Sequence, residues 1–95
     1  MGIVIGLVGC GRWGSNHLRV MKRLQNEGLV QRVVVCDVDG ERLANIQADA
    51  TYANLESMLS AEALAAVAIA TPPETHLGLA KKVLDKNLPL LLEKP

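Results

Sequence analysis

The sequence predicts a doubly wound α/β domain: a parallel sheet of about five strands in the order 3-2-1-4-5, with helices on both faces. Three observations carry this expectation. Short apolar runs alternate with longer amphipathic ones from end to end, the rhythm of repeated strand–helix–strand units joined by right-handed crossovers. A Gly-x-Gly-x-x-Gly turn, Gly9-Cys10-Gly11-Arg12-Trp13-Gly14, separates the first strand from the first helix, and Asp37 closes the second strand, 23 residues past Gly14. The chemically distinctive groups also share one edge. The glycine turn, Asp37, Thr71-Pro72-Pro73 and Glu93-Lys94 all follow the carboxyl ends of strands, where open α/β sheets place their ligands.

Each element has its own local reason. Gly2 to Val8 is a continuous apolar run of strand length, as expected of a central parallel strand buried on both faces. Arg12 to Asn26 reads as a helix with Gly14, Leu18, Met21 and Leu24 or Gln25 on one stripe, and Gly28 is placed for a left-handed cap. Gln31 to Asp37, with Val33-Val34-Val35, is strongly β-branched and forms the second strand. Asp39 caps a helix over about 40–48 with Leu43, Ile46 and Ala50 inward. A short strand at Ala50 to Tyr52 follows, then one or two turns capped by Asn54 and reaching Leu59. Leu64 to Ala70 is the fourth strand, which Thr71-Pro72-Pro73 must end because neither proline serves a ladder. Glu74 to Lys86 is a helix with Leu77, Ala80, Val83 and Leu84 inward, an acidic start, a lysine-rich end and Asn87 as cap. Pro89 to Leu92 is the fifth strand.

Length and composition narrow the function classes. The chain of 95 residues suffices for one domain, with ~60% of the unfolded surface buried on folding. It is 49% hydrophobic and 21% charged with zero net charge, a globular composition. There is no basic excess for nucleic acid, and one Trp and one Tyr do not make a stacking platform. No apolar run approaches the ~20 residues of a membrane span, and the N-terminus lacks the basic region of a signal peptide, so a cytoplasmic location is expected. Cys10 and Cys36 read as two small, partly buried, reduced side chains, with no His or Cys partner at metal-binding spacing.

The residues of the shared edge point to a dinucleotide. Gly9 permits the tight turn, Gly11 lets backbone approach a pyrophosphate, and Gly14 lets the helix pack close to the sheet. The helix N-terminus then faces the phosphates. Asp37 can accept hydrogen bonds from the adenosine ribose and repels a 2′-phosphate, which favours NAD over NADP, although Arg42 could accommodate that phosphate if it swung in. Alternatively Asp37 caps the turn that follows it. Thr71-Pro72-Pro73 either lines the cleft or merely stops a strand. His17 and His76 read as packing or surface residues from chemistry alone. Lys94 could donate a proton or polarise a hydroxyl, or else form a solvated pair with Glu93.

Taken together these residues resemble the Gfo/Idh/MocA family of glucose–fructose oxidoreductases and inositol dehydrogenases over essentially the whole chain. Gly9 to Gly14 is similar to the family's opening motif, and Cys36-Asp37-Val38-Asp39 with Glu41-Arg42-Leu43 to its second-strand segment. Ala68-Ile69-Ala70-Thr71-Pro72-Pro73-Glu74-Thr75-His76 and Glu93-Lys94-Pro95 are the more specific matches. Ala65 and Pro89 depart from residues common in relatives. The resemblance implies a Rossmann-like fold with pyrophosphate held by Gly9, Gly11, Arg12, Trp13 and Gly14, and adenosine ribose by Asp37. Thr71, Pro72 and His76 would border the nicotinamide, Glu93 its ribose, and Lys94 would be the catalytic lysine, its peptide to Pro95 often cis.

Relatives of that family are far longer. Residues 1–95 are therefore expected to be an incomplete dinucleotide-binding domain, without the C-terminal domain that supplies most substrate contacts, and inactive alone. The parent reaction would be hydride transfer between a sugar-like or cyclitol alcohol and NAD or NADP, in a homo-oligomer, with no metal. The alternative is a stand-alone, non-enzymatic dinucleotide-binding or sensor module.

Overall fold

The computed structural model describes residues 2–92. The elements run β1 (Val4–Val8), α1 (Arg12–Asn26), β2 (Arg32–Cys36), α2 (Gly40–Ala44), β3 (Ala50–Tyr52), α3 (Leu55–Ala61), β4 (Ala66–Ile69), a 3-10 turn (Pro73–Thr75), α4 (His76–Leu84) and β5 (Leu90–Leu92). All strand pairs are parallel and the order is β3-β2-β1-β4-β5, as the sequence predicts.

The side-chain alternation of the strands explains why both faces are covered. Leu7, Val33, Val35 and Ala68 point to one side, into a cluster with Leu18 and Met21 of α1 and the partly buried Leu43 and Ile46. Their neighbours Val8, Val34, Cys36, Val67 and Ile69 point to the other, against Leu55 and Met58 of α3 and Val83 of α4. Successive residues of one strand thus serve two separate cores, and only a continuous apolar run can do that.

Several boundaries differ from expectation. The α2 helix stops at Ala44, where the Asn45 side chain donates to the Glu41 carbonyl at 2.9 Å. Ile46 still packs inward, from irregular backbone. The last helix begins at His76, after the 3-10 turn, and its inward face is Leu79, Ala80 and Val83. Leu77 and Leu84, expected inward, are exposed. Five apolar residues within nine positions admit two stripes, and packing against β4 chose the other one.

Caps fall where expected. The Asp39 side chain accepts from the Glu41 and Arg42 amides, and Asn54 from Ser57. Gly28 and Asn87 take left-handed backbone after α1 and α4. Arg32, at the start of β2, forks onto Glu62 with two 2.8 Å hydrogen bonds, and the Tyr52 hydroxyl donates to the same carboxylate. This ties the end of α3 to β2 and β3.

Candidate functional site

The register places the site. Val8 of β1 pairs with Cys36 of β2 and with Ile69 of β4, so Gly9, Asp37 and Ala70 emerge side by side at the carboxyl edge. Here the crossovers from β1 diverge, leaving a cleft between them. The Gly9 amide donates to the Cys36 carbonyl and the Ala70 amide to the Val8 carbonyl, both at 2.8 Å, which locks the three chain exits together.

The three glycines meet different constraints. Gly9 has φ +90, and a Cβ there would stand 2.8 Å from Thr71 Cγ2 and 3.0 Å from the Ala70 carbonyl oxygen. At Gly14 a Cβ would stand 1.9 Å from the Gly9 carbonyl oxygen. Both glycines are therefore demanded by the fold itself. Gly11 is not. Its nearest neighbour would be Arg42 Nη1 at 3.4 Å, an ordinary contact with the tip of an exposed side chain. Gly11 is the N-cap of α1 and offers no side chain to the amides of the first turn, so these can donate hydrogen bonds to an anion in the cleft that Gly11, Arg12 and Trp13 line.

Asp37 is the one buried charged residue among those described. Its Oδ2 accepts from the Cys10 amide at 2.9 Å and the Cys10 thiol at 3.3 Å, and its Oδ1 accepts from the Asp39 amide at 2.8 Å. Arg42 Nη1 lies 3.7 Å from Oδ2. Burial by itself would raise this carboxyl's pKa. The hydrogen bonds from Cys10 and Asp39 and the Arg42 charge outweigh it and hold the group below the usual aspartate range. Asp37 thus caps its own turn, one of the two alternatives above, and also braces the glycine turn. Burial, the hydrogen bond to Asp37 and its charge push the Cys10 thiol up to about 11. Burial, then the Asp37 charge, pushes Cys36 up to about 12.

The turn after β4 is wired internally. Thr75 Oγ1 donates to the Pro72 carbonyl at 2.7 Å, so its contact with Thr71 Oγ1 at 2.6 Å is donated by Thr71. His76 Nε2 lies 2.8 Å from the Thr71 carbonyl. A carbonyl only accepts, so Nε2 carries the proton. Two prolines and three side-chain hydrogen bonds make this a stiff wall rather than a loose strand end.

Between the glycine turn, β2 and this wall lies a cleft of about 720 Å³, of a size that takes a small-molecule ligand. Gly9, Gly11, Arg12, Trp13, Asp37, Thr71 and Pro72 line it. Gly14 lies behind, under Gly9. His76 is not in the lining; it fastens Thr71 from outside. Lys82 and Glu56, paired at 2.7 Å, and Arg42 also border the cleft. The sequence carries no local sign of the lysine–glutamate pair, whose members stand 26 residues apart. Val38 is fully exposed at the cleft mouth; an apolar residue directly after the strand-ending aspartate was the available signal. Glu93, Lys94 and the Lys94–Pro95 peptide lie outside the described residues. Among those described, no group of three or more His, Cys, Asp or Glu could hold a metal, and no helix is long and apolar enough to cross a membrane.

Residues 3–95 match the model of an oxidoreductase family with an NAD-binding Rossmann fold, Gfo/Idh/MocA. Inositol 2-dehydrogenase of Renibacterium salmoninarum is 33% identical over 92 residues, which cover 96% of this chain and 28% of that protein. Among solved structures, the WlbA dehydrogenase of Bordetella pertussis in complex with NADH and UDP-GlcNAcA superposes with a TM-score of 0.83 at 30% identity, over 100% of this chain and 29% of that one. Myo-inositol 2-dehydrogenase of Lactobacillus plantarum gives 0.83 at 26% identity, over 100% and 29%. The chain thus spans under a third of the length of these relatives.

Proposed function

The chain belongs to the Gfo/Idh/MocA oxidoreductase family with its NAD-binding Rossmann fold, and we propose that it is the cofactor-binding part of a dehydrogenase acting on a cyclitol or sugar-like alcohol. The observation that carries this is Gly11. Steric need accounts for Gly9 and Gly14 in the free protein, whereas Gly11 leaves backbone bare toward the cleft at a helix N-terminus. That is the requirement of a pyrophosphate approaching the main chain.

The family resemblance suggests the roles. The backbone amides of Arg12 and Trp13 at the start of α1, beside the bare Gly11, bind the pyrophosphate, while Gly9 and Gly14 shape the turn whose Gly9 and Cys10 amides are taken by Cys36 and Asp37. Asp37 holds the adenosine ribose, and its charge disfavours NADP. Thr71 and Pro72 form the rigid wall toward the nicotinamide, with His76 acting through Thr71 as a positioning residue. Bound nicotinamide supplies the hydride acceptor or donor. Glu93 contacts the nicotinamide ribose, and Lys94 takes or returns the substrate hydroxyl proton. Substrate contacts come from a portion of a longer polypeptide, consistent with the share of the relatives that this chain spans. Subunit association into a homo-oligomer belongs to that portion as well.

The test is a longer polypeptide carrying this chain, assayed with myo-inositol and related polyols and NAD. Lys94→Met is expected to lower turnover by at least about a hundredfold while leaving NAD affinity within about twofold. Unchanged turnover in Lys94→Met removes the proposed role for this lysine. Absence of NAD-linked oxidation of any cyclitol or sugar removes the substrate class.

A further inference from the structure

An ionised carboxylate offers about four acceptor positions, and in Asp37 three are taken. The amide and the thiol of Cys10 fill Oδ2, at 2.9 and 3.3 Å, and the Asp39 amide takes one position on Oδ1. Arg42 approaches Oδ2 no closer than 3.7 Å, and the Asp37 side chain is only 4% exposed. A ribose that presents two neighbouring hydroxyls needs two acceptor positions, and one is open. The two amides cannot leave without undoing the glycine turn or the end of β2. The thiol can leave by a change of rotamer. We propose that the Cys10 thiol competes with the adenosine ribose for Asp37 and so sets how strongly, and how selectively, the cleft holds a ribonucleotide.

This rests on Asp37 as the ribose carboxylate. A thiol suits the part because it is a weak donor. It satisfies the buried oxygen while the cleft is empty of ligand and yields to a hydroxyl, the stronger donor. A serine at the same place would bond Oδ2 more tightly and yield less readily. An alanine would not compete at all.

The experiment is a titration of AMP and of 2′,3′-dideoxy-AMP against the wild-type chain, Cys10→Ala, Cys10→Ser and Asp37→Asn. For AMP, Cys10→Ala is expected to bind about two- to fivefold tighter than wild type and Cys10→Ser about two- to fivefold weaker. The dideoxy ligand should bind all Cys10 variants alike. A residue that merely fills space gives the reverse or no order, and either result overturns the proposal. If Asp37→Asn still distinguishes AMP from its dideoxy analogue as wild type does, the ribose reading itself falls. If Asp37→Asn loses that distinction but the Cys10 series is flat, only the competition falls. A second measurement needs no change at Cys10. In Cys36→Ala, whose single thiol is Cys10, the S–H stretching band is expected to shift to the frequency of an unbonded thiol on adding AMP. A band that does not move overturns the proposal even if the Cys10 variants fail to fold.

Discussion

Replacing Gly14 with alanine, beside the same change at Gly11, separates a glycine the fold requires from one it does not. The new methyl carbon would lie 1.9 Å from the Gly9 carbonyl oxygen and 2.7 Å from its carbonyl carbon. Carbon and carbonyl oxygen tolerate no less than about 3.3 Å, so the gap must open by more than an ångström. Neither side can give locally. Gly9 is held by its hydrogen bond to Cys36 and its φ of +90, and Gly14 sits in the first turn of α1. Relief has to come from moving α1 off the sheet, which draws Leu18 and Met21 out of their cluster. Overpacking of this kind costs about 1–3 kcal/mol, and the withdrawn side chains add to it, so about 3 kcal/mol or more is expected. At ~4–8 °C per kcal/mol for a domain of this size, the midpoint falls by at least ~12 °C. In Gly11→Ala the methyl meets only the Arg42 tip at 3.4 Å, and the loss of a favourable N-cap costs no more than about 1 kcal/mol. Thermal and urea unfolding followed by circular dichroism measure both. A Gly14→Ala chain within about 1 kcal/mol of wild type would refute the reasoning, as would a Gly11→Ala chain damaged equally.

Three further outcomes are expected. Cys10 and Cys36, buried with thiols pushed up to about 11 and 12, should resist iodoacetamide at pH 7 and react only on unfolding; rapid labelling of the native chain contradicts this. Hydrogen bonds from Arg32 hold the Glu62 carboxyl below the usual glutamate range. A depressed folded pKa gives stability that is complete above the unfolded pKa and lost as pH falls through the folded one. Urea midpoints should therefore drop below about pH 4, and Glu62→Gln should lower neutral-pH stability by about 1–2 kcal/mol while flattening that drop. Met58→Ala empties a fully buried position between α3 and the sheet and should cost about 2–5 kcal/mol in the same unfolding assay.

The fold was legible because its strands had to serve two cores. Val33, Val34 and Val35 have almost no reading other than a doubly covered strand, and the turn of three glycines fixes where β1 ends and α1 begins. The same logic failed at α4, where Leu77 and Leu84 make as good a stripe as Leu79 and Val83. Only contact with β4 and α3 distinguishes them. In the site, Gly9 to Gly14, Asp37 and Thr71-Pro72 stood out because each residue type suits one position at a strand end. The grip of Cys10 on Asp37 did not. The two are 27 residues apart and meet only because the β1–β2 register sets Val8 beside Cys36. His76, which the family resemblance places beside the nicotinamide, bonds the Thr71 carbonyl five residues away in the same turn.

The most direct test of the site is a titration of the chain with NAD and NADP, followed by its unfolding midpoint and repeated on Gly11→Val and Asp37→Asn. A ligand that binds only the folded chain stabilises it by ~2.7 kcal/mol at one hundred times its dissociation constant, which is ~10–20 °C for a domain of this size. The expected result is a saturable rise, larger with NAD than with NADP, abolished in a folded Gly11→Val and weakened in Asp37→Asn. A folded wild-type chain that shifts with neither nucleotide, or a Gly11→Val chain that shifts as wild type does, would contradict the assignment of the glycine turn as the pyrophosphate site.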